Sequence, residues 1–389
     1  MRVLHVTGCY LPAREWGGVP NAVASMVGGL SRAGVEVEVW TTTQRSSPAL
    51  PAIPAGLQVM DGVPVRHFRS IHALGRAFLA PGLVHALWER VREFDAVHVH
   101  MLWTAVGLAA ARICQHRGIP YFYSLHGALT PEALAERAGE KRVFLAASER
   151  RNVLRAALLH FTFEAERVAA PTWTRCVRSA VVPNALDATP FLSLGASEAR
   201  ARSHRVLMLA RIHPLKGFDV LIPAMRKVVD AEPRARLVIA GPDEGGHLRE
   251  VKAAIAGAAL TEHVELPGLL DPAARAGALE AAAVLVAPSM SENFCLSVAE
   301  GMAAGLPVVV SDKVRMAGEV SAAGAGIVVE RDPRKLATAL LRLLASPGER
   351  AEMGSRGRRL VADRYAPGAV GAALQGAYEA ALGEPDRRA

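Results

Sequence analysis

Cysteine is scarce in this sequence and forms no pattern. The four residues Cys9, Cys114, Cys176 and Cys295 lie far apart and contain no C-x-x-C pair. That argues against a zinc site or a disulfide framework and for small buried thiols in a reducing compartment. Aromatic residues make up only 5%, which speaks against the stacking surface of a single-strand nucleic-acid binder. No stretch reaches the roughly 18 apolar residues of a spanning helix. The N-terminus runs from Arg2 directly into Val3-Leu4-His5-Val6, without the apolar core of a secretory signal. The expectation is a cytoplasmic protein that can touch the inner face of the membrane. No run of five Lys or Arg occurs, although the net charge is +8. Scattered basic residues suit an anionic partner without choosing among nucleic acid, a bilayer and a phosphorylated small molecule.

What is present is a long chain of 389 residues, 51% apolar and 21% charged, more than one core usually serves. Short β-branched runs alternate with Ala/Leu-rich helical stretches throughout, the pattern of βαβ units and a mostly parallel sheet. The runs include Val3–Val6, Val35–Thr41, Ala96–Val99, Tyr121–Ser124, Leu159–Phe163 and Ala180–Val182. In the second half they include Arg205–Leu209, Leu237–Ala240, Val264–Leu266, Val284–Ala287, Val308–Ser311 and Ile327–Val329. Turn residues crowd Pro183 to Arg202 and mark a boundary. The expectation is a first domain over 1–187, a second over 200–365, and a C-terminal helix of about 368–389.

Open parallel sheets bind ligands at the carboxyl ends of their strands, so the loops after strands carry the candidates. Ser291 to Gly301 follows Val284–Ala287 and opens a helix, with Glu292 at the turn and Glu300 about two turns on if the helix starts near Asn293. Two carboxylates so placed can each hold a pair of hydroxyls, and the helix N-terminus offers N–H groups to a phosphate. The plain alternative makes Glu292 a solvated cap and Glu300 an exposed helix residue. Arg211 and Lys216 follow Arg205–Leu209 and can grip phosphate oxygens as a planar fork and a point charge; otherwise they are ordinary surface cations. Gly17 and Gly18 let the backbone approach a ligand closely, or form a simple turn, and G-x-G-x-x-G is absent there. His126 stands past Tyr121–Ser124 beside Gly127 and can meet a substrate hydroxyl, though it is one of 13 histidines. His98 and His100 are expected to be structural.

Together these residues resemble the GT-B glycosyltransferases of family 4, also described as group 1. The likeness covers almost the whole chain, with the motifs in the family's order: Gly17-Gly18, His126, Val182-Pro183-Asn184-Ala185-Leu186-Asp187, Arg211 with Lys216, and Glu292-x7-Glu300. The resemblance implies an α/β GT-B fold of two Rossmann-like domains with parallel sheets facing a central cleft. It implies a retaining transfer of sugar from a nucleotide-diphosphate sugar to an acceptor hydroxyl. Arg211 and Lys216 would neutralise the departing diphosphate, Glu292 would hold donor-sugar hydroxyls, and Glu300 would bind the ribose. Backbone near Phe294, Cys295 and Leu296 would fix the sugar and distal phosphate. The loop with Gly268 and Leu269 would lie against the base, His126 would sit near the donor sugar, and the last helix would pack on the first domain. No metal and no other cofactor is implied, and no D-x-D stands at a strand end. Cys295 and Ala185 occupy places where the family commonly has Gly.

The acceptor side is less legible. Arg66 to Leu79 mixes basic and bulky apolar residues and reads either as a helix packed on its own domain or as a surface for an anionic membrane and a lipid-linked acceptor. A role in bacterial surface polysaccharide or glycolipid synthesis is the corresponding expectation, without nucleic acid as a partner. The rival readings are a GT-B sugar-nucleotide epimerase, a phosphorylase, or a non-catalytic nucleotide-sugar binder.

Overall fold

The structure is a computed structural model that describes residues 1–16, 18–46, 49–72, 78–135, 137–194 and 198–383. The chain divides into two compact units, Met1–Ala185 with Ala366–Ala389, and Leu186–Tyr365. Each is an α/β unit built on one large sheet.

The strands of the first unit are β1 (Arg2–Val6), β2 (Glu36–Thr42), β3 (Gly56–Met60), β4 (Val63–Phe68), β5 (Ile71–His72), β6 (Phe78–Leu79), β7 (Ala96–His100), β8 (Tyr121–Ser124), β9 (Leu158–Phe161) and β10 (Ser179–Val181). Its main sheet runs β10-β9-β8-β7-β1-β2-β4-β3. Every pairing is parallel except β3 with β4. β7 and β8 are buried along their whole length, as expected of strands covered on both faces. Chain order reverses at β1, between β7 and β2, making the β1/β7 edge a switch point.

The sheet is mostly parallel, as expected, with an edge hairpin joining β3 to β4. Its turn is Asp61-Gly62, with φ of 49° and 81°, the left-handed pair that a tight hairpin requires. The helical expectation for Arg66 to Leu79 is corrected: Arg66–Phe68 is not helical. It belongs to β4, where Val63, Val65 and His67 are buried and the residues between them half-buried. Burial of one face, with the other left half-buried, lets the period of two win over a helical reading. β5 and β6 form a short antiparallel pair, and residues 73–77 of the same stretch lie outside the described residues.

The second unit carries β11 (Arg205–Leu209), β12 (Arg236–Ala240), β13 (Val264–Gly268), β14 (Val284–Ala287), β15 (Val308–Ser311) and β16 (Gly326–Val329). The sheet order is β13-β12-β11-β14-β15-β16, all parallel. Its switch point lies between β11 and β14. Its core gathers Leu221, Met225 and Val228 of the helix Phe218–Ala231 with Leu336, Leu340 and Leu343 of the helix Pro333–Ala345. Asp332 caps the latter, accepting from the N–H groups of Arg334 and Lys335.

The helix Pro367–Gly383 completes the first unit. Val370, Leu374 and Tyr378 are buried with Val23, Met26, Val27 and Leu30 of the helix Gly18–Arg32. The approach is close because both faces carry glycine. A Cβ on Gly29 would stand 2.0 Å from the Pro367 carbonyl oxygen, and one on Gly371 would stand 2.3 Å from the Gly29 carbonyl carbon.

Candidate active site

In the second unit the loops after β11 and β14 meet at the switch point. β11 ends at Leu209 and turns through His213, whose Nδ1 accepts from the Leu215 N–H, into the short turn Pro214–Lys216. Gly217 then takes φ 84°, and a Cβ there would stand 2.1 Å from the Pro288 carbonyl oxygen. Only glycine fits both the sign of φ and that approach. The Met290 N–H donates to the Leu215 carbonyl at 2.8 Å, closing the two loops on each other. Ser311 of β15 fixes the far side, its hydroxyl donating to the Ser289 carbonyl at 2.6 Å.

This scaffold sets Lys216 Nζ against Glu292 Oε1 in an ion pair. The side chains are only 12% and 17% exposed, so solvent screens the pair less than a surface one. Ser289 adds a hydroxyl to the same carboxylate oxygen at 3.3 Å. Glu292 is extended, bridged to Val314, and its carbonyl accepts from the Arg315 N–H. The helix begins later than expected, at Leu296 rather than near Asn293, because Cys295 keeps a non-helical backbone (φ −77°, ψ 85°). Glu300 therefore lies about one turn into Leu296–Ala303, not two. Among the described residues no side chain caps that N-terminus, and the N–H groups of Leu296 and Ser297 lack intrahelical acceptors. The negative φ of Cys295 means that this position has no need of glycine. Burial and the Glu292 charge push its thiol up to about 12, so it is a packed, unreactive group. Phe294 packs edge-on against Tyr365, 5.4 Å between centroids.

Glu300 is 6% exposed, which removes the reading of an exposed helix residue. Burial pushes its carboxyl up, and Arg275, paired with it through Nη2, pulls it back. Arg275 sits on the helix Pro272–Ala281, whose N-cap Asp271 follows the β13 loop. That loop holds Gly268 at φ 77° and leaves Leu269 67% exposed. Arg211 is paired with Glu244, both about two-fifths exposed. Glu244 is held there because its N–H donates to the Ile212 carbonyl at 3.1 Å. Arg275 and Glu244 escaped the sequence reading; nothing local to either marks it as a partner.

The first unit brings five histidines to the carboxyl ends of β1, β7, β8 and β9. Their burial holds the imidazoles of His5, His126 and His160 down at about 3, 3 and 4, and those of His98 and His100 well below the usual value. All five are neutral, so each ring has one N–H and one acceptor. His160 Nε2 lies 2.7 Å from the Val182 carbonyl, which only accepts. Its Nδ1 must then accept from the Ser124 hydroxyl at 2.6 Å. Ser124 Oγ in turn accepts from His98 Nε2 at 2.6 Å, and His98 Nδ1 accepts from Tyr378 at 2.5 Å. His98 is structural, as expected, and it anchors the returning helix. His100 belongs to a second chain with His5 at 3.0 Å and His126 at 3.3 Å. His5, His98 and His100 could each turn a ring nitrogen to within 4.8 Å of the others, but a metal taken there would have to break a bond of His98 to Tyr378 or Ser124.

His126 has φ 48° and Gly127 φ 78°, so a strained left-handed residue stands at the loop. Buried Glu166 holds the loop, accepting from the Gly127 N–H at 2.6 Å and from Thr162 at 2.7 Å. Gly18 is the exposed first residue of its helix, and Gly17 lies outside the described residues. Lys216 with Glu292, and Glu300 with the Leu296 helix N-terminus, share one unit; His126 and Gly18 belong to the other.

Comparisons with known proteins bear on both units. The family described as "Glycosyl transferases group 1" matches residues 195–360, and the "Glycosyl transferase 4-like domain" matches 17–185. The D-inositol 3-phosphate glycosyltransferase of Kineococcus radiotolerans is 30% identical, covering 88% of this chain and 86% of that protein. That of Frankia alni is 29% identical over 87% and 88%. Among solved structures, sucrose-phosphate synthase from Thermosynechococcus elongatus is similar with a TM-score of 0.78 at 20% identity, over 98% of this chain and 99% of that one. Anabaena HepE in complex with UDP and glucose has a TM-score of 0.75 at 18% identity, over 98% and 100%.

Proposed function

The chain belongs to the glycosyl transferases group 1 family and is a glycosyltransferase, and from that premise we propose that it moves a sugar from a nucleoside-diphosphate sugar to an acceptor hydroxyl with retention of the anomeric configuration. The observation that carries this reading is the Lys216–Glu292 pair at the β11/β14 switch point, beside an uncapped helix N-terminus. The cation and free amides suit a diphosphate, and the carboxylate suits sugar hydroxyls. When donor binds, Lys216 exchanges part of its bond to Glu292 for a phosphate oxygen, and Glu292 turns its freed oxygen to the sugar. Arg211 leaves Glu244 to share the same charge, an exchange that costs little at an exposed pair. Glu300, kept in place by Arg275, takes the ribose hydroxyls. Gly268 and Leu269 face the base, Phe294, Cys295 and Leu296 the sugar and distal phosphate, and Gly17 and Gly18 the phosphates from the first unit.

Charge developing on the leaving diphosphate is met by fixed cations, the electrostatic contribution that dominates many enzymes. The proposed reaction therefore needs no metal or other cofactor. Both glutamates are engaged with cations, Lys216 and Arg275, which blunts them as nucleophiles. We favour attack from the face the phosphate leaves. The acceptor is a carbohydrate or lipid-linked hydroxyl in surface polysaccharide or glycolipid assembly, at the cytoplasmic side of the membrane. No helix among the described residues is long and apolar enough to cross that membrane.

The test is a thermal-shift and product screen with UDP-, GDP- and ADP-sugars in EDTA, offering soluble inositol phosphates and polyprenyl-linked sugars as acceptors. Stabilisation by one nucleotide family, with a product of retained configuration by NMR, supports the reading. A requirement for added metal, an inverted product, or no response to any nucleotide sugar overturns it.

A further inference from the structure

His5, His100 and His126 form a line of three neutral rings. His126 Nε2 meets His100 Nδ1 at 3.3 Å, and His100 Nε2 meets His5 Nδ1 at 3.0 Å. The rings of His100 and His126 are stacked at 5.5 Å, and those of His5 and His100 at 5.2 Å. The two atoms at the ends, His126 Nδ1 and His5 Nε2, are buried without a hydrogen-bond partner among the described residues.

In such a line the tautomers are not independent. If His126 carries its proton on Nε2, it donates to His100 Nδ1; His100 must then carry its own on Nε2 and donate to His5 Nδ1, and His5 too is protonated on Nε2. If His126 carries its proton on Nδ1, every bond reverses and all three rings are protonated on Nδ1. A mixed arrangement sets two N–H groups, or two lone pairs, against each other across a bond. Each mismatch forfeits a buried hydrogen bond and leaves polar atoms unmet.

We propose that His5 and His100 are positioning residues that fix, as one unit with His126, whether His126 Nδ1 meets a ligand hydroxyl as donor or as acceptor. The proposal rests on the reading that His126 faces the donor sugar. Neither His5 nor His100 need touch the ligand: both are fully buried, while His126 is only half-buried. The neighbouring line from Tyr378 to Val182 differs in that its carbonyl end fixes the direction. Here no carbonyl sets the direction, so the three rings take one sense together, and His126 Nδ1 presents that sense to the ligand. The line carries no proton beyond His5 among the described residues, none of which accepts one at His5 Nε2.

The wire can be read without any substrate. Long-range ¹H–¹⁵N correlation spectra of ¹⁵N-histidine-labelled full-length protein distinguish Nδ1–H from Nε2–H in each ring. The expected result is one shared sense for His5, His100 and His126. His5→Phe should shift the His126 ring nitrogens or mix its tautomers. If that variant fails to fold, the wild-type spectrum alone still decides. Opposite senses in neighbouring rings, or His126 nitrogens untouched by His5→Phe, overturn the proposal whatever the protein's activity. With UDP-glucose or whichever nucleotide sugar is turned over, His5→Phe should lower kcat about fivefold with little change in KM. His5→Asn, whose amide can turn to either sense, should recover it to within about twofold. An unaltered kcat in His5→Phe overturns the positioning role. Loss of activity with no change at His126 would count as general damage and also overturns it. Failure to turn over any donor sinks the transferase site and leaves the spectral result standing.

Discussion

At the switch point between β1 and β7 the first unit buries neutral rings; between β11 and β14 the second sets Lys216 and Glu292 against each other as ions. The difference follows from burial. The first switch point is the more deeply buried, and five imidazoles there lose their charge to desolvation. The second stays partly wet, so an ion pair survives. A neutral wall can discriminate hydroxyls by the direction of hydrogen bonds, and a charged one can take a diphosphate. The same βαβ edge thus supplies direction in one unit and charge in the other.

Acid should separate the two most. The folded-state values of His5, His126 and His160 lie below the ordinary value of 6.5, so the unfolded chain binds protons first. Stability from these rings is fully present above about pH 6.5 and is lost as pH falls toward 3 to 4. Each ring removes stability over that fall, and because the rings sit against one another the loss grows with every proton the unfolded chain takes up. Glu300 in the second unit runs the other way: its carboxyl is raised, so its contribution is greatest in acid. Hydrogen exchange followed by mass spectrometry should show residues 1–185 losing protection first on acidification. Earlier loss in 186–365 would break the comparison.

Lys216→Ala comes next. Removing the cation should lower kcat by about 10²- to 10³-fold, read as nucleoside-diphosphate release, and lower the thermal transition because the mostly buried Glu292 loses its counter-ion. A loss below tenfold would take Lys216 out of the chemistry. Tyr378→Phe leaves His98 Nδ1 unmet and should cost about 1–3 kcal/mol, seen as a lower urea midpoint at unchanged slope. An unmoved midpoint would mean that the line to Val182 does not brace the fold. Smallest is Glu244→Gln, at an exposed pair. Stability should change by less than about 1 kcal/mol, while the donor KM falls because Arg211 is released. A raised KM would make Glu244 a ligand contact instead.

The parallel strands of both units were legible because doubly covered strands are apolar throughout. Lys216 and Glu292 were legible because they follow such strands, and the chain's own geometry brings successive switch-point loops together. Arg275 and Glu244 were not: each is set by the docking of a different loop. The β3–β4 hairpin carried a readable sign in Asp61-Gly62, masked by Pro51, Pro54 and Pro64 around it. The histidine line had no sign of its own. His5, His100 and His126 become neighbours only through the register that sets Val3 beside Ala96 and His100 beside Ser124.

The glycine contact between helices Gly18–Arg32 and Pro367–Gly383 has a consequence for biosynthesis. The second unit is one continuous stretch, whereas the first waits for a helix made after the second is finished. At ~5–20 residues per second, synthesis from Ala185 to that helix takes roughly ten to forty seconds. Through that interval Val23, Met26 and Leu30 lack the cover of Val370, Leu374 and Tyr378, while the whole of the second unit is already made. A nascent chain stalled before Pro367 would present that bare face to chaperones, so the last helix acts as the closing step of a domain begun at the first strand.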